Sequence, residues 1–238
     1  MVAMQILSKS QEVTADNLAN INTPGFKGNK VFYHMLKENV DGEEVVKTVP
    51  KQQIDLTQGI LEPTGNVFDI GIDGDGFFVV QENGQQYLTR DGRFHLDSDG
   101  YLVNSYGANV IGTSGEIQLP EYYMANNDGG TSSQLLIAKD GTIRVDELAV
   151  DKLQLLKVDD PALLQRKGSS YFTVENTTAL SEVDTGVIMQ GFYEKGNVEP
   201  LNEMVDMMKN MQMFETQQKA MRTSDEILSR VTSQLGKL

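Results

Sequence analysis

Residues 201–235 read LNEMVDMMKNMQMFETQQKAMRTSDEILSRVTSQL, and this stretch decides the fold. Met207, Phe214, Met221, Leu228 and Leu235 recur every seven residues, while Leu201, Met204, Met208 and Met211 thicken the first turns. A seven-residue apolar repeat keeps one face of a helix turned toward a partner. No glycine interrupts the run, and Pro200 stands at its start, where a missing N–H is harmless. About 35 helical residues extend roughly 52 Å, further than a small domain is wide, and such a helix takes its stability from packing. At the facing positions the stripe is polar, with Asn210, Gln217 and Ser224 before Val231. That polarity favours a narrow seam within a larger helical array over a simple two-stranded coiled coil.

The other end carries a similar stripe in Met4, Leu7, Gln11, Thr14, Leu18 and Ile21. The spacing predicts a helix from about residue 3 to residue 20. Asn22-Thr23-Pro24-Gly25 ends it, because proline disfavours a helical preceding residue and glycine tolerates positive φ. Asn17 and Asn20 have amides able to bridge neighbouring helices or to close the helix end. Two arrangements satisfy the terminal stripes: a hairpin of the two helices within one chain, or packing against other copies.

The region between is of another kind. Phe77-Phe78-Val79-Val80, Gln86-Tyr87-Leu88-Thr89, Phe94-His95-Leu96, Tyr101-Leu102-Val103 and Asn109-Val110-Ile111 are short runs about ten residues apart, set off by Asn83-Gly84, Asp91-Gly92, Asp99-Gly100 and Tyr106-Gly107. Further strands are expected at residues 135–137, 142–145, 153–156, 171–174 and 187–189, and a single helical turn at 161–164. Gly65, Gly71 and Gly76 are expected at backbone turns. Residues 26–59 carry a weak signal, with 31–33 and 45–49 extended around an Asp41-Gly42 turn, and 124–133 read as a polar loop. The predicted class is therefore α+β, with long terminal helices forming an assembly core and a central, mainly antiparallel all-β domain. The segments are 1–27, a connector 28–64, the β domain 65–187, a return connector 188–200, and the closing helix 201–238.

Composition narrows the chemistry. The 238 residues are 39% hydrophobic, enough for an ordinary core, and the net charge of −14 is spread along the chain. Phosphate backbones would be repelled, so nucleic acid is not an expected partner, and no polybasic stretch or long apolar run points to a membrane. The absence of cysteine removes disulfides, zinc thiolates and thiol nucleophiles. The first 25 residues lack the basic and apolar regions of a Sec signal peptide. Asp73-Gly74-Asp75-Gly76 and Asp97-Ser98-Asp99-Gly100 each offer two carboxylates, but a calcium loop needs an oxygen ligand at its fifth position, where Phe77 and Tyr101 stand. Both read as tight turns. The loop 71–76 lacks the lysine and helix of a P-loop, and His34 and His95 have no triad partners nearby. No catalytic residue, cofactor or metal is expected.

Five blocks of the sequence carry a resemblance. They are Ala15-Asp16-Asn17-Leu18-Ala19-Asn20-Ile21-Asn22-Thr23-Pro24-Gly25-Phe26-Lys27; Gly59-Ile60-Leu61-Glu62-Pro63-Thr64-Gly65; Ile72-Asp73-Gly74-Asp75-Gly76-Phe77-Phe78; Thr89-Arg90-Asp91-Gly92-Arg93-Phe94; and Gly191-Phe192-Tyr193-Glu194-Lys195-Gly196-Asn197-Val198 leading into Glu203-Met204-Val205-Asp206-Met207-Met208. Together they resemble the axial proteins of the bacterial flagellar rod and hook, with the block order of the rod proteins. Lys195-Gly196 replaces the small residues usual before Asn197.

The resemblance implies a rod subunit, exported unfolded by the flagellar type III apparatus without a cleaved Sec signal, and located in the basal body outside the cytoplasmic membrane. It implies a helical tube around the export channel, transmitting torque to the hook. The implied partners are copies of the chain and other rod or hook axial proteins, with envelope bushing rings or peptidoglycan as further ones. A secreted β domain that binds the envelope, its helices serving only oligomerisation, is the alternative. The assembly interface is expected at Leu7, Asn17, Leu18, Asn20, Ile21, Met204, Met207, Met211, Phe214, Met221, Leu228 and Leu235. The opening Met1-Val2-Ala3-Met4 is shorter than the family's usual start, so the first helical turns are expected to be altered or absent.

Overall fold

A computed structural model of the chain describes residues 2–40, 43–126, 133–175, 180–183 and 187–235, with the side chains of all but 2–3, 33–40, 43–48, 124–126, 231 and 233–235. The first elements are α1 (Val2–Ala19), β1 (Asn29–Val40), β2 (Glu43–Ile54), β3 (Leu61–Pro63), β4 (Ile70–Asp73), β5 (Phe77–Glu82) and β6 (Gln85–Thr89). There follow β7 (Phe94–Leu96), β8 (Leu102–Asn104), β9 (Asn109–Gly112), β10 (Gly115–Glu116), α2 (Glu121–Asn126), β11 (Leu135–Ile137), β12 (Thr142–Val145) and β13 (Leu148–Lys152). The last are β14 (Leu155–Val158), a 3-10 turn (Pro161–Leu163), β15 (Leu164–Lys167), β16 (Tyr171–Val174), β17 (Leu180–Glu182), β18 (Val187–Gln190), β19 (Phe192–Glu194) and α3 (Pro200–Leu235). The class is α+β, as the periodicities predict.

The chain divides into two units. The helical unit draws on Met1–Ala19, Asn29–Gln53 and Glu199–Leu238, and the β unit on Asn20–Gly28 and Ile54–Val198. The Asp41-Gly42 turn expected between β1 and β2 lies outside the described residues; the two strands pair with each other.

In the helical unit α1 and α3 run antiparallel, with Asn17 beside Glu203 and Ser10 beside Asn210. The hairpin within one chain, one of the two arrangements open to the sequence, is present. Between residues 203 and 217 the half-buried positions of α3 are Glu203, Met207, Asn210, Phe214 and Gln217, alternating steps of four and three as a helix seam requires. Polarity at Asn210 does not weaken this pairing, because its amide donates to Ser10 Oγ at 3.0 Å. The helices are unequal, 18 residues against 36. From Lys219 to Arg230 every side chain of α3 is exposed.

The β unit is built on a ten-stranded antiparallel sheet in the order β15-β16-β6-β5-β9-β8-β7, with β10 beside β9, β14 beside β5 and β17 beside β14. Central β5 shows why its run is apolar at every position. Phe78 and Val80 enter one buried cluster with Ile70, Phe94, Val110 and Ile143, while Phe77 and Val79 enter a second with Leu88, Val158 and Phe172. With both faces covered, the hydrophobic alternation of a half-exposed strand disappears. Asn83 and Gly84, both with positive φ, close the β5–β6 hairpin. A three-stranded sheet (β11-β12-β13) and two ribbons (β18-β4 and β19-β3) complete the unit.

Three expectations need correction. Residues 71–73, which read as part of the glycine loop 71–76, lie in β4 and pair with β18. Gly71 is therefore no turn residue; it is in β4, and an added Cβ would lie 2.8 Å from Leu61 Cδ2. Asn126, placed by the sequence in a polar loop, ends α2, while residues 127–132 lie outside those described.

Candidate functional site

The turn after α1 is drawn tight by Thr23 N–H donating to Asn20 O at 2.9 Å and Phe26 N–H donating to Thr23 O at 3.2 Å. Gly25 then adopts φ +67°, and a Cβ there would stand 2.2 Å from the Asp91 amide nitrogen. Glycine is required on both counts: left-handed backbone is costly for other residues, and another main chain occupies the space. This close approach delivers Phe26 and Lys27 into the interior of the β unit, where both are buried.

Lys27 meets Glu194 there. Its ammonium donates to Glu194 Oε1 at 2.7 Å and to Thr57 O at 2.8 Å. Arg90 donates from Nη1 to Glu194 Oε2 at 3.1 Å and from Nη2 to Gly74 O at 2.8 Å. The Gly59 amide is a further donor to Glu194 Oε1, at 2.7 Å. Exposure of the three charged side chains is only 1% for Lys27, 1% for Glu194 and 4% for Arg90. Two buried cations thus share one carboxylate. Loss of solvent lowers the pKa of both Lys27 and Arg90, with the pull of Glu194 only partly offsetting it. Arg90 stays charged, as guanidinium does in proteins, and lies 5.3 Å from the Phe77 ring centroid.

Asn197 ties the same strands of chain by neutral bonds. Its Oδ1 accepts from the Gly28 amide at 2.7 Å, and its Nδ2 donates to Asp55 O at 2.8 Å and Thr57 O at 2.9 Å. Its own amide donates to Phe26 O at 3.2 Å. Arg166 closes the other side, its guanidinium 4.3 Å from the Phe26 ring centroid and donating to Lys27 O. Nearby, Asp91 receives a two-pronged ion pair from Arg93 at 3.1 and 3.0 Å. Lys27, Gly59, Gly74, Arg90, Glu194 and Asn197 come one or two from each of the five sequence blocks. Far apart in the chain, those blocks meet at one buried carboxylate.

Among the described residues no group of three His, Cys, Asp or Glu side chains is placed to hold a metal. Asp97, from one of the acidic turns, uses its carboxylate on the amides of Asp99 and Tyr101. The cluster around Glu194 has the chemistry of a structural tie: its one amine, on Lys27, is buried and hydrogen-bonded to Glu194 and Thr57, and both carboxylate oxygens are taken up by donors of the same chain.

The residues expected at the assembly interface fall into five sets. Asn17 is buried and works as a bridge: its Oδ1 accepts the Asn29 amide at 2.8 Å while its Nδ2 donates to Asn29 O at 3.0 Å and Glu203 Oε1 at 2.9 Å. Glu203 is held with a raised pKa, first because burial penalises its charge, with the Asn17 bond working against that. Leu7, Leu18, Met207 and Phe214 are half-buried, Leu7 over a groove lined by Met213, Thr216 and Gln217 of α3. Met204, Met211, Met221 and Leu228 are exposed. Asn20 and Ile21 lie beyond the end of α1, in the β unit, and the Leu235 side chain lies outside the described residues. None of these expectations singled out Lys27, Arg90 or Glu194, although each is a charged member of a quoted block.

Comparison with known proteins agrees with the resemblance. Residues 1–27 match the family described as flagella basal body rod protein, residues 71–145 the flagellar hook protein FlgE/F/G D1 domain, and residues 189–235 the flagellar basal body rod FlgEFG protein C-terminal. The flagellar basal-body rod protein FlgF of Salmonella typhimurium is 32% identical, the match covering 94% of this chain and 91% of that protein. FlgF of Caulobacter vibrioides is 29% identical over 98% of this chain and 94% of its own, and the rod protein FlgG of Buchnera aphidicola 28% over 94% and 93%. The chain belongs to the flagellar basal-body rod protein family, a family of structural proteins and not of enzymes, and its place is the basal body of the bacterial flagellum.

Proposed function

We propose that this rod subunit polymerises through its terminal helices into a tube around the export channel and carries torque toward the hook. One observation carries the reading: α3 is left with more apolar surface than its own chain covers. The seam that faces α1 at Met207 and Phe214 continues to Met221 and Leu228, past the stretch that α1 spans. Leu201, Met204, Val205 and Met208 are also exposed, and at 100° per residue they lie roughly opposite that seam. Burying each of these side chains would contribute about 1.5–3 kcal/mol, so assembly has a driving force that the lone chain leaves unused.

In this reading other axial subunits cover both faces, and the subunit reaches its place outside the cytoplasmic membrane through the flagellar type III export apparatus without a cleaved Sec signal. The β unit is left to meet surrounding envelope rings or peptidoglycan. Because the chain has no cysteine, single substitutions Met208→Cys and Leu228→Cys give clean cross-linking probes. A thiol-reactive photo-cross-linker, coupled to the new cysteine and then inserted on illumination into whatever lies beside it, should join neighbouring axial subunits at both positions in purified basal bodies. Monomeric protein at both would sink the proposal.

A further inference from the structure

The chain passes between its two units four times, after Ala19, Gly28, Gln53 and Val198. Inside the β unit these crossings leave three stubs: residues 20–28, 54–60 and 194–198. All three are tied to one another within a few residues of the crossings. Gly25 N–H donates to Glu194 O at 2.7 Å, Asp55 N–H to Gly28 O at 2.7 Å, and Lys195 N–H to Ile60 O at 2.9 Å. The Glu194 carboxylate binds both the first stub, through Lys27, and the second, through the Gly59 amide, at 2.7 Å each. Asn197 repeats the pattern with Gly28 and Asp55.

We infer that Glu194 and Asn197 form a latch that makes the three stubs one mechanical piece, so that twist arriving through the terminal helices is delivered to the β sheet and is not absorbed by peeling of residues 20–28. The inference rests on the torque-carrying reading above for its biological sense. Energetics favour a latch over plain stabilisation. Two buried cations around one anion stabilise poorly, since apolar residues of the same volume often serve a core as well or better. What directional charged bonds add is a single geometry, and here that geometry joins segments separated by more than a hundred residues. Arg90 orients the carboxylate from the sheet side, with its Nε left without a hydrogen-bond partner among the described residues.

Amide exchange on the purified full chain tests this without requiring assembly. Glu194→Gln and, separately, Asn197→Ala should speed exchange at Gly25, Gly28 and Gly59 at least tenfold beyond any acceleration at the β5 and β9 amides. Equal acceleration across the sheet would make the cluster an ordinary stabilising core and overturn the latch, as would unchanged exchange in the stubs. Should Glu194→Gln fail to fold, Asn197→Ala, which leaves the charges in place, decides alone. In cells the same variants should build rods and filaments yet lose speed more steeply than wild type as medium viscosity is raised; a parallel loss counts against the latch. Absence of the wild-type chain from purified rods would instead sink the assembly reading and leave the exchange result standing.

Discussion

Removing the shared anion and removing one of its cations should have very different consequences. Glu194 lies 2.7 Å from Lys27 and 3.1 Å from Arg90, so Glu194→Gln ends two attractions and leaves two buried cations facing each other. Breaking a buried pair in this way costs about 3–5 kcal/mol, a large share of a domain's total stability of about 5–15 kcal/mol. Lys27→Met ends one attraction and one repulsion, and it replaces a desolvated ammonium by an apolar chain of similar length. Lost charged hydrogen bonds, about 1.5–3 kcal/mol, are then partly offset, leaving a net cost of about 1–2 kcal/mol.

Urea unfolding of the full chain, followed by fluorescence of its 8 tyrosines in the absence of tryptophan, measures both. A pH series adds a sign. The folded pKa of Lys27 lies below its ordinary 10.5, so between the two values the unfolded chain holds more protons. Stability from this site therefore rises as pH climbs through the folded pKa, and the wild-type advantage over Lys27→Met should widen in alkaline solution. Equal costs for the two substitutions, or a gap indifferent to pH, would refute the charge accounting.

Gly25→Ala should cost several kcal/mol, combining left-handed strain of about 1–2 kcal/mol with a Cβ 2.2 Å from backbone, whereas Gly65→Ala, with φ +73° and open space, should cost only the strain; paired urea midpoints check this. Glu203 has a folded pKa above its ordinary 4.5, so its contribution is full below that value and is lost as pH rises through the folded one. Helical ellipticity on heating should accordingly be more resistant near pH 4 than at pH 7, and Glu203→Gln, which keeps an acceptor for Asn17, should abolish the difference. Met208→Asp and Leu228→Asp, at exposed positions, should change monomer stability by no more than about 0.5 kcal/mol and yet prevent incorporation into basal bodies, read by sedimentation and by immunoblot of purified rods.

The parts of this fold with a local period were legible. Leu201 to Leu235 announces a helix because its apolar positions repeat, and the β5–β6 hairpin because Asn83-Gly84 permits only a narrow set of turns. What stayed hidden depends on partners remote in sequence. Ile70-Gly71-Ile72-Asp73 is too short and glycine-rich to read as a strand, and it becomes one by pairing with Val187–Gln190, more than a hundred residues later. The Glu194 cluster was hidden for the same reason: Lys27, Arg90 and Glu194 show no spacing that brings them together. Their membership of three of the five unusually specific blocks was the available signal.

The two halves of α3 place different demands on the same seven-residue stripe. Over Glu203 to Gln217 the seam has an occupant in its own chain, and its polar positions are matched to it: Glu203 takes the Asn17 amide and Asn210 gives its own to Ser10. An all-apolar seam would pair as strongly in several registers, whereas these two bonds, seven residues apart on each helix, are satisfied together in only one. Over Met221 to Leu228 the stripe continues with no such partner in the described chain, and Ser224 between them bonds back to Ala220 O of its own helix. Register is thus specified where the chain pairs with itself and left open where it does not. A subunit that must settle its own fold before meeting its neighbours needs that order of commitments.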